Sequence, residues 1–530
     1  MLAQLKSLTK ETLVYGFSTV LGKFLNFILV PFYVNVLSST AEYGIMTSLY
    51  VYLGFLNVIV PLGLEAAYFR YASKGEQETR SQDEEQRLFS TPWLSVLIFG
   101  SIVATAIILL APILIHPIFA DGKTDIAPMA GTLTTIVRYG AVILLLDALA
   151  VIPFAALRLE HRAMKFALIR LFNIVMTLVL NFVFILTLDL GVEGIFLANL
   201  VASAGVLALL SPHILQKLNW KIDRDILRKF LPFGLTNVPA YLGSMVVQVI
   251  NRPIVQAILG LSVLGIYQAN YRMGVAMMVL VGLFEYAWRP FFLRQAKTDD
   301  ARARLLFAKV LTYFMLMVGF AFLFFSFYMP HIVSTPIFGR TLLRRDYFAG
   351  LHIIPIILGA YAFQGMYTNF LAGIYIKDRN KVLPYITGAG AVVNVLANYA
   401  LIPVLGMTGA ALATLLAYAV MALYIYYESN KVYPVPYEWK RIALLVVVIL
   451  AVFTFERLVV SQLDLSRGMY FLAQNSLLAL TVLILFVTKF FEKREVDMLK
   501  SMMRIGGKKE MTMSPQDPVQ RTKERTKAAD

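Results

Sequence analysis

Residues 190–202 read LGVEGIFLANLVA, and residues 405–417 read LGMTGAALATLLA. The two segments keep both glycines of a Gly-x-x-Gly step and lie 215 residues apart. Just upstream, Arg162 and Asn181 correspond to Arg379 and Asn398 at an offset of 217. A weaker match links Tyr43-Gly44-Ile45 to Leu264-Gly265-Ile266. An internal repeat of this length predicts two related halves that carry their elements in the same order.

The repeated segments belong to a chain that is apolar almost throughout. Hydrophobic residues make up 59% of it and charged residues 15%, whereas soluble domains carry roughly 25% charged residues. A membrane-spanning helix needs ~20 mostly apolar residues. Runs of that kind predict fourteen spans, at 13–34, 43–64, 93–115, 133–156, 167–187, 193–215, 232–257, 264–288, 306–328, 351–375, 383–403, 408–427, 441–460 and 469–488. The chain is therefore predicted to be an all-α membrane protein.

Lys and Arg alternate between rich and poor loops along these spans, as cytoplasmic and outer loops do. The alternation predicts that both termini are cytoplasmic and that the net charge of +16 reflects membrane topology, not nucleic-acid binding. Because each half holds six spans, both halves enter from the same side and form a parallel repeat. The predicted organisation is an N-terminal lobe at 1–216, a cytoplasmic linker at 217–231, a C-terminal lobe at 232–428, two extra spans at 441–488 and a basic, disordered cytoplasmic tail at 489–530.

A few cations fall inside predicted spans, where each costs at least ~2.5–3.5 kcal/mol and should face a cavity or a partner. Those well away from the span ends are Lys23, Arg138, Arg252 and Arg272. Polar residues at helical spacing accompany them: Asn26 on span 1, Gln248 and Asn251 on span 7, and Gln268 on span 8. We predict that these eight residues line a cavity for an anionic substrate, because guanidinium binds phosphate oxygens bidentately. The alternative is that Arg138 snorkels to the surface and the others pair internally.

Two carboxylates inside spans, Asp147 and Glu285, are candidates for ion coupling. Asp147 can equally neutralise Lys23 or Arg138. Glu285 is followed by Arg289 and favours an ion pair near the cytoplasmic end of its span. The five His residues show no metal-binding spacing, the chain has no Cys, and no nucleotide-binding motif is present. We therefore expect no metal and no cofactor, with an ion gradient or the membrane potential as the energy source.

The six-plus-six plan, the segment PLGLEAAYFRY at 61–71 and the segment Asn394–Ala417 resemble the polysaccharide-transporter branch of the multidrug/oligosaccharidyl-lipid/polysaccharide (MOP) superfamily. The resemblance covers residues 1 to about 490. It implies a V-shaped pair of six-helix lobes that alternates between inward-open and outward-open states, plus two extra C-terminal helices. Relatives include O-antigen and capsule-unit flippases and lipid II flippases. It also implies that spans 13 and 14 hold a lipid tail.

The function that the resemblance and the cations imply together is a flippase, not an enzyme. It would move a polyprenyl-diphosphate-linked saccharide to the outer leaflet of the cell (inner or plasma) membrane during surface polysaccharide biosynthesis. Expected partners are membrane lipids, the glycolipid itself and polysaccharide polymerase or assembly proteins, with no nucleic acid. A multidrug exporter of the same fold is the alternative, although it would be expected to hold acidic residues for cationic drugs. A membrane glycosyltransferase is a third, but no large loop with paired carboxylates is present.

Overall fold

The computed structural model describes residues 29–73, 81–298, 300–337, 339–492 and 495. They belong to two compact units, Met1–Glu438 and Trp439–Asp530. The first unit holds helical residues 29–36 and the helices α1 (Thr40–Ile59), α2 (Leu64–Ala72), α3 (Gln82–Phe119), α4 (Ala130–Leu159), α5 (Ala163–Phe182), α6 (Gly191–Lys217), α7 (Arg224–Val249), α8 (Asn251–Leu259), α9 (Leu261–Met273), α10 (Val275–Thr298), α11 (Asp300–Ser334), α12 (Ile354–Ile376), α13 (Leu383–Leu405) and α14 (Met407–Val432).

The described residues hold thirteen helical segments that are long and apolar enough to cross a membrane. They correspond one by one to predicted spans 2 to 14, and the all-α prediction is confirmed. Predicted span 1, at 13–34, lies mostly outside the described residues. In the described part of the chain, a small hairpin lies between α11 and α12, where β1 (Pro336–Ile337) pairs antiparallel with β2 (Arg340–Thr341).

The segments that disclosed the repeat have the same local structure. Gly191 and Gly406 both have a positive φ, of 52° and 57°, which most side chains avoid. Each glycine turns the chain between two antiparallel neighbours, α5 into α6 and α13 into α14. Asn181 and Asn398, one on each incoming helix, are both fully buried. The sequence match therefore marks a repeated helix–turn–helix.

The two halves touch where α1 crosses α9. A Cβ on Gly44 would collide with the backbone carbonyl of Leu261, and one on Gly265 would collide with the carbonyl of Thr40 and lie 3.1 Å from the backbone nitrogen of Gly44. Gly44 and Gly265 are equivalent positions of the repeat. Small residues at a crossing let helix backbones approach closely, as they do between membrane helices generally.

Predicted spans 7 and 8 are each broken into two helices. Span 7 becomes α7 and α8, which meet at Ile250, and span 8 becomes α9 and α10, which meet at Gly274. Helix α7 begins at Arg224, inside the stretch predicted as a linker, because the Asp223 side chain accepts hydrogen bonds from the N–H groups of the first turn. Both breaks lie beside cations: Arg252 follows the break at Ile250, and Arg272 lies two residues before Gly274.

The second unit contains α15 (Trp439–Leu458) and α16 (Arg467–Val487), which correspond to predicted spans 13 and 14. Glu456 on α15 is 1% exposed. It accepts hydrogen bonds from the hydroxyl of Tyr470 and, at 3.1 Å, from Nε2 of Gln474, both on α16. This buried carboxylate pins the two helices together.

Candidate functional site

A cavity of about 730 Å³ lies inside the first unit. Its wall draws on both repeats: residues 29–33, α1, α5 and α6 from the first half, and α7, α8, α9, α10, α12 and α14 from the second. Four residues predicted to bind substrate line it, namely Gln248, Arg252, Gln268 and Arg272. The cavity is thus the place where the two halves of the repeat face each other, and it is the candidate functional site.

Arg252 stands at the start of α8, immediately after the break at Ile250. Its guanidinium carbon is 5.9 Å from the ring centroid of Tyr271, which is also in the wall. Among the described residues no carboxylate lies within 4.0 Å of this guanidinium. Arg252 is therefore a cation inside a membrane-spanning segment whose facing groups are aromatic rings and hydroxyls, so it is open to an anionic ligand.

Asn251, also predicted to bind substrate, is 2% exposed and lies behind the wall. Its Nδ2 donates to the hydroxyl of Tyr267 at 2.6 Å and to Oγ1 of Thr414 at 3.4 Å. These bonds join α8 to α9 and α14. Asn251 is therefore a structural brace behind the wall, and its hydrogen bonds hold the backbone that carries Arg252.

Arg272, the second cation of the wall, reaches towards the first half of the repeat. Its charge acts on the hydroxyls of Tyr33, Tyr43 and Tyr50, which belong to residues 29–36 and α1. Two of these tyrosines also line the cavity. Arg252 and Arg272 thus form a cationic wall on the second half, and Tyr33 and Tyr50 line the same cavity from the first half.

Apart from Glu285, the remaining polar groups of the wall are uncharged. Buried side-chain carbonyl oxygens of Asn173, Gln268 and Gln364 have no hydrogen-bond partner among the described residues. Buried polar atoms normally have a partner, so these acceptors are suited to hydroxyl or amide donors of a ligand. Five tyrosines complete the surface: Tyr33, Tyr50, Tyr271, Tyr361 and Tyr418.

The two candidate carboxylates occupy different places. Glu285 lines the cavity from α10 and forms an ion pair with Arg289 at 3.5 Å, with 40% of its side chain exposed. Asp147 on α4 is not in the wall, and one of its oxygens accepts a hydrogen bond from Oγ of Ser203 at 2.8 Å. The structure does not bring the two carboxylates together.

The other predicted residues lie elsewhere. Arg138 is exposed on α4 and is not part of the cavity wall. This is the placement expected of a snorkelling side chain. Lys23 and Asn26 lie outside the described residues. The cationic wall of the described cavity is therefore Arg252 and Arg272.

Sequence reasoning missed Arg170 on α5 and the cavity tyrosines. Arg170, Asn173, Thr177 and Asn181 follow one another at i, i+3, i+7 and i+11, the spacing of one helix face. That pattern was visible, but span 5 was predicted to begin at 167, whereas α5 begins at Ala163. Arg170 therefore looked like a residue of the helix end. The tyrosines gave no signal because the chain has 27 of them.

Three hydrogen bonds join α3 and the loop after it to α8 and the turn between α8 and α9, and so connect the two halves of the repeat. The N–H of Leu261 donates to Oδ2 of Asp121 at 2.7 Å, and Nζ of Lys123 donates to the carbonyl of Ile258 at 2.8 Å. Nε2 of Gln256 donates to the carbonyl of Ile118 at 2.7 Å. We name these three hydrogen bonds the α3–α9 latch. It lies at the predicted outer face.

Asp121 is held as a carboxylate in the latch. Burial works to raise the pKa of Asp121, but the backbone N–H groups of Thr124, Leu261 and Lys123 donate to its oxygens and lower the pKa below its ordinary value. Hydrogen bonds to the charged form favour that form. The latch therefore depends on the ionised side chain.

The sequence profile of a family described as polysaccharide biosynthesis protein matches residues 36–343. The chain belongs to that family. No curated protein matches it at a significant level of sequence similarity. Residues 36–343 contain most of the second-half wall, including Arg252 and Arg272, as well as the latch.

Solved structures of the MOP superfamily share the fold of this family member. The lipid II flippase MurJ in an inward closed conformation is 15% identical, with a TM-score of 0.66, over 90% of this chain and 97% of that chain. An inward-facing multidrug resistance MATE family transporter is 13% identical, with a TM-score of 0.64, over 80% of this chain and 95% of that chain. An outward-facing one is 14% identical, with a TM-score of 0.54, over 82% and 96%.

These comparisons confirm the predicted resemblance to the polysaccharide branch of the MOP superfamily and establish a multi-pass membrane protein with the MOP fold. A flippase and drug transporters share that fold, so the fold does not choose the cargo. The choice rests on the chemistry of the cavity wall.

Proposed function

We propose that this family member is a flippase for a saccharide linked to polyprenyl diphosphate, which it moves from the cytoplasmic to the outer leaflet by alternating access. The observation that carries the proposal is Arg252, a cation of the cavity wall with no carboxylate within 4.0 Å among the described residues. A cation at membrane depth costs at least ~2.5–3.5 kcal/mol. A diphosphate offsets that cost each time it binds.

The arrangement of the two arginines suits a diphosphate. Guanidinium presents a planar fork of donors that matches phosphate oxygens bidentately. Arg252 approaches from α8 and Arg272 from α9, so two forks face one space. These charges would repel a cationic drug. Glu285, the one carboxylate among the described residues of the wall, is paired with Arg289. The wall therefore favours an anionic cargo over the cationic cargo of the alternative exporter.

The uncharged wall suits a saccharide. Gln268 and Gln364 offer carbonyl acceptors without partners, and the tyrosines offer aromatic faces with a hydroxyl handle. The volume, about 730 Å³, falls within the ~300–1,000 Å³ of cavities that enclose drug-sized ligands. It accommodates a diphosphate with a short saccharide. The polyprenyl tail would stay in the hydrocarbon phase.

Direction and energy follow from the charge of the cargo. An inside-negative membrane potential favours the outward passage of an anion by ~2.3 kcal/mol per charge per 100 mV. The proposal includes a cytoplasmic membrane location with both termini in the cytoplasm, no bound cofactor, and polymerase or assembly proteins that take up the cargo outside. Ion coupling through Asp147 or Glu285 would add to this drive.

The test is leaflet exchange in proteoliposomes. A polyprenyl-diphosphate disaccharide placed in one leaflet should reach the other leaflet. Binding of a membrane-impermeant lectin added on that other side measures its arrival. Arg252→Ala should abolish exchange. Arg138→Ala, which removes an exposed arginine outside the wall, should leave it unchanged. Transport of cationic dyes without glycolipid exchange would refute the proposal in favour of an exporter.

A further inference from the structure

Arg170 on α5 is a cation that does not line the central cavity. It lies seven residues inside α5, about 10 Å along the helix from Ala163, and is exposed. Two aromatic rings lie beside its guanidinium carbon, which is 4.3 Å from the ring centroid of Phe154 and 5.7 Å from that of Phe166. The guanidinium is therefore exposed and is held against α4 by the ring of Phe154.

The face of α5 that carries Arg170 is the face that lines the cavity. Asn173, Ile174 and Thr177 are in the cavity wall, and they follow Arg170 at i+3, i+4 and i+7. Arg170 is about 4.5 Å along the helix axis from Asn173, towards the cytoplasmic end. A side chain on a helix leans towards the helix N-terminus, so the guanidinium reaches further in that direction. It therefore lies on the path between the cytoplasm and the cavity.

The charge of Arg170 is only partly compensated by its neighbours. Glu65 and Asp147 act on it favourably and Arg158 acts unfavourably. Glu65, however, forms an ion pair with Arg158. Asp147 accepts a hydrogen bond from Ser203, and among the described residues no carboxylate lies within 4.0 Å of the Arg170 guanidinium. The donors of Arg170 are available to an anion, while the stack on Phe154 fixes the plane of the guanidinium.

We propose that Arg170 forms a second anion-binding site, a loading site that takes the diphosphate of the cargo at the cytoplasmic end of the cavity before Arg252 and Arg272 receive it. The inference rests on the proposed function. The polar stripe of Asn173 and Thr177 leads from the loading site into the cavity. Asp147 then has a defined role: it balances Arg170 when the site is empty.

The first experiment measures binding by the purified full chain with geranylgeranyl diphosphate as the probe and geranylgeraniol as its uncharged control. Arg170→Ala should weaken diphosphate binding by about tenfold or more, since hydrogen bonds to a charged group are lost. Binding of the alcohol should not change. Arg162→Ala is the matched control, because Arg162 stands at the start of the same helix but pairs with Glu160 at 3.2 Å.

A double variant separates binding from structure. If Arg170 only balances Asp147, then Arg170→Ala combined with Asp147→Asn should recover binding, which would overturn the proposal. If Arg170 holds the phosphate, the double variant should stay as weak as Arg170→Ala. Unchanged binding in Arg170→Ala, with binding lost in Arg252→Ala, would also overturn the loading site and leave the proposed function standing. Unchanged binding in both variants would overturn both.

The chain has no Cys, so Arg170→Cys introduces its only thiol. In sealed inside-out vesicles an impermeant thiol reagent should label this residue, and geranylgeranyl diphosphate should slow the labelling. Modification with aminoethyl methanethiosulfonate restores a cation and should restore binding, whereas the sulfonatoethyl reagent adds an anion and should not. This result is independent of whether Arg170→Ala folds. Equal binding after both reagents would contradict the proposal.

Discussion

Removing the carboxylate of Asp121 should open the outer end of the cavity. Asp121→Ala takes away the acceptor of the Leu261 N–H, a 2.7 Å hydrogen bond that crosses between the two halves of the repeat. A hydrogen bond to a charged group contributes ~1.5–3 kcal/mol. Because Asp121 is only half-buried, the lower figure applies, and about 1.4 kcal/mol shifts an equilibrium tenfold. The open fraction should therefore rise about tenfold.

The assay uses the absence of native Cys. Val249→Cys places a single thiol in the cavity wall, and its rate of modification by an impermeant maleimide added outside reports opening. Asp121→Ala should raise that rate about tenfold. Asp125→Ala is the control, because among the described residues Asp125 accepts a hydrogen bond only within its own loop, from the N–H of Ala127 at 3.0 Å. Equal rates in the two variants would refute the latch.

The same reporter gives the pH dependence. The pKa of Asp121 is lowered in the closed state, so the latch is complete above the ordinary aspartate pKa and is lost as the pH falls through the lowered value. Because maleimide reacts with the thiolate, the labelling rate is compared with that of a free thiol at the same pH, and this ratio should rise only at acidic pH. Asp121→Asn should remove this dependence. An unchanged acid response in Asp121→Asn would assign the titration to another group.

Three further variants test the packing around the site. Gly44→Val should lower the free energy of unfolding by ~1–3 kcal/mol, because the added side chain collides with the backbone of α9. Gly243→Ala, with open space around the residue, should not lower it. Thermal unfolding of the purified variants distinguishes the two outcomes. Asn251→Leu should slow glycolipid exchange while the melting temperature falls only slightly, because the brace behind Arg252 is lost; exchange at the native rate would exclude that role. Glu456→Leu should destabilise the second unit by ~1–3 kcal/mol, since the donors on Tyr470 and Gln474 lose their acceptor. Glu456→Gln should destabilise it by less. Proteolysis of the α15–α16 region measures both effects.

The sequence was sufficient for the fold because its strongest signals are physical requirements of the bilayer. Spans 2 to 14 follow from apolar length, and the repeat follows from the glycines that turn α5 into α6 and α13 into α14. Gly44 and Gly265 match only weakly in sequence, yet they mark the close backbone approach where the two halves meet. These features leave direct traces in composition and spacing.

The candidate site was only partly predictable. Arg252 and Arg272 stand out because any cation in the middle of a span demands a reason. The same rule also selected Arg138, since spacing along one helix does not say whether a face turns to a cavity or to the surface. It missed Arg170 because predicted span 5 begins at 167, which places Arg170 in the first turn of the span, whereas α5 begins at Ala163. Asn251 was assigned to the wall, although helical spacing does not distinguish a residue that lines a cavity from one just behind it.

The most direct test of the central claim is an experimental structure of the full chain with a polyprenyl-diphosphate disaccharide bound. We predict phosphate oxygens at roughly 2.7–2.9 Å from the guanidinium nitrogens of Arg252, with the saccharide against the tyrosines and Gln364. A glycolipid bound with its diphosphate away from both Arg252 and Arg272 would contradict the account.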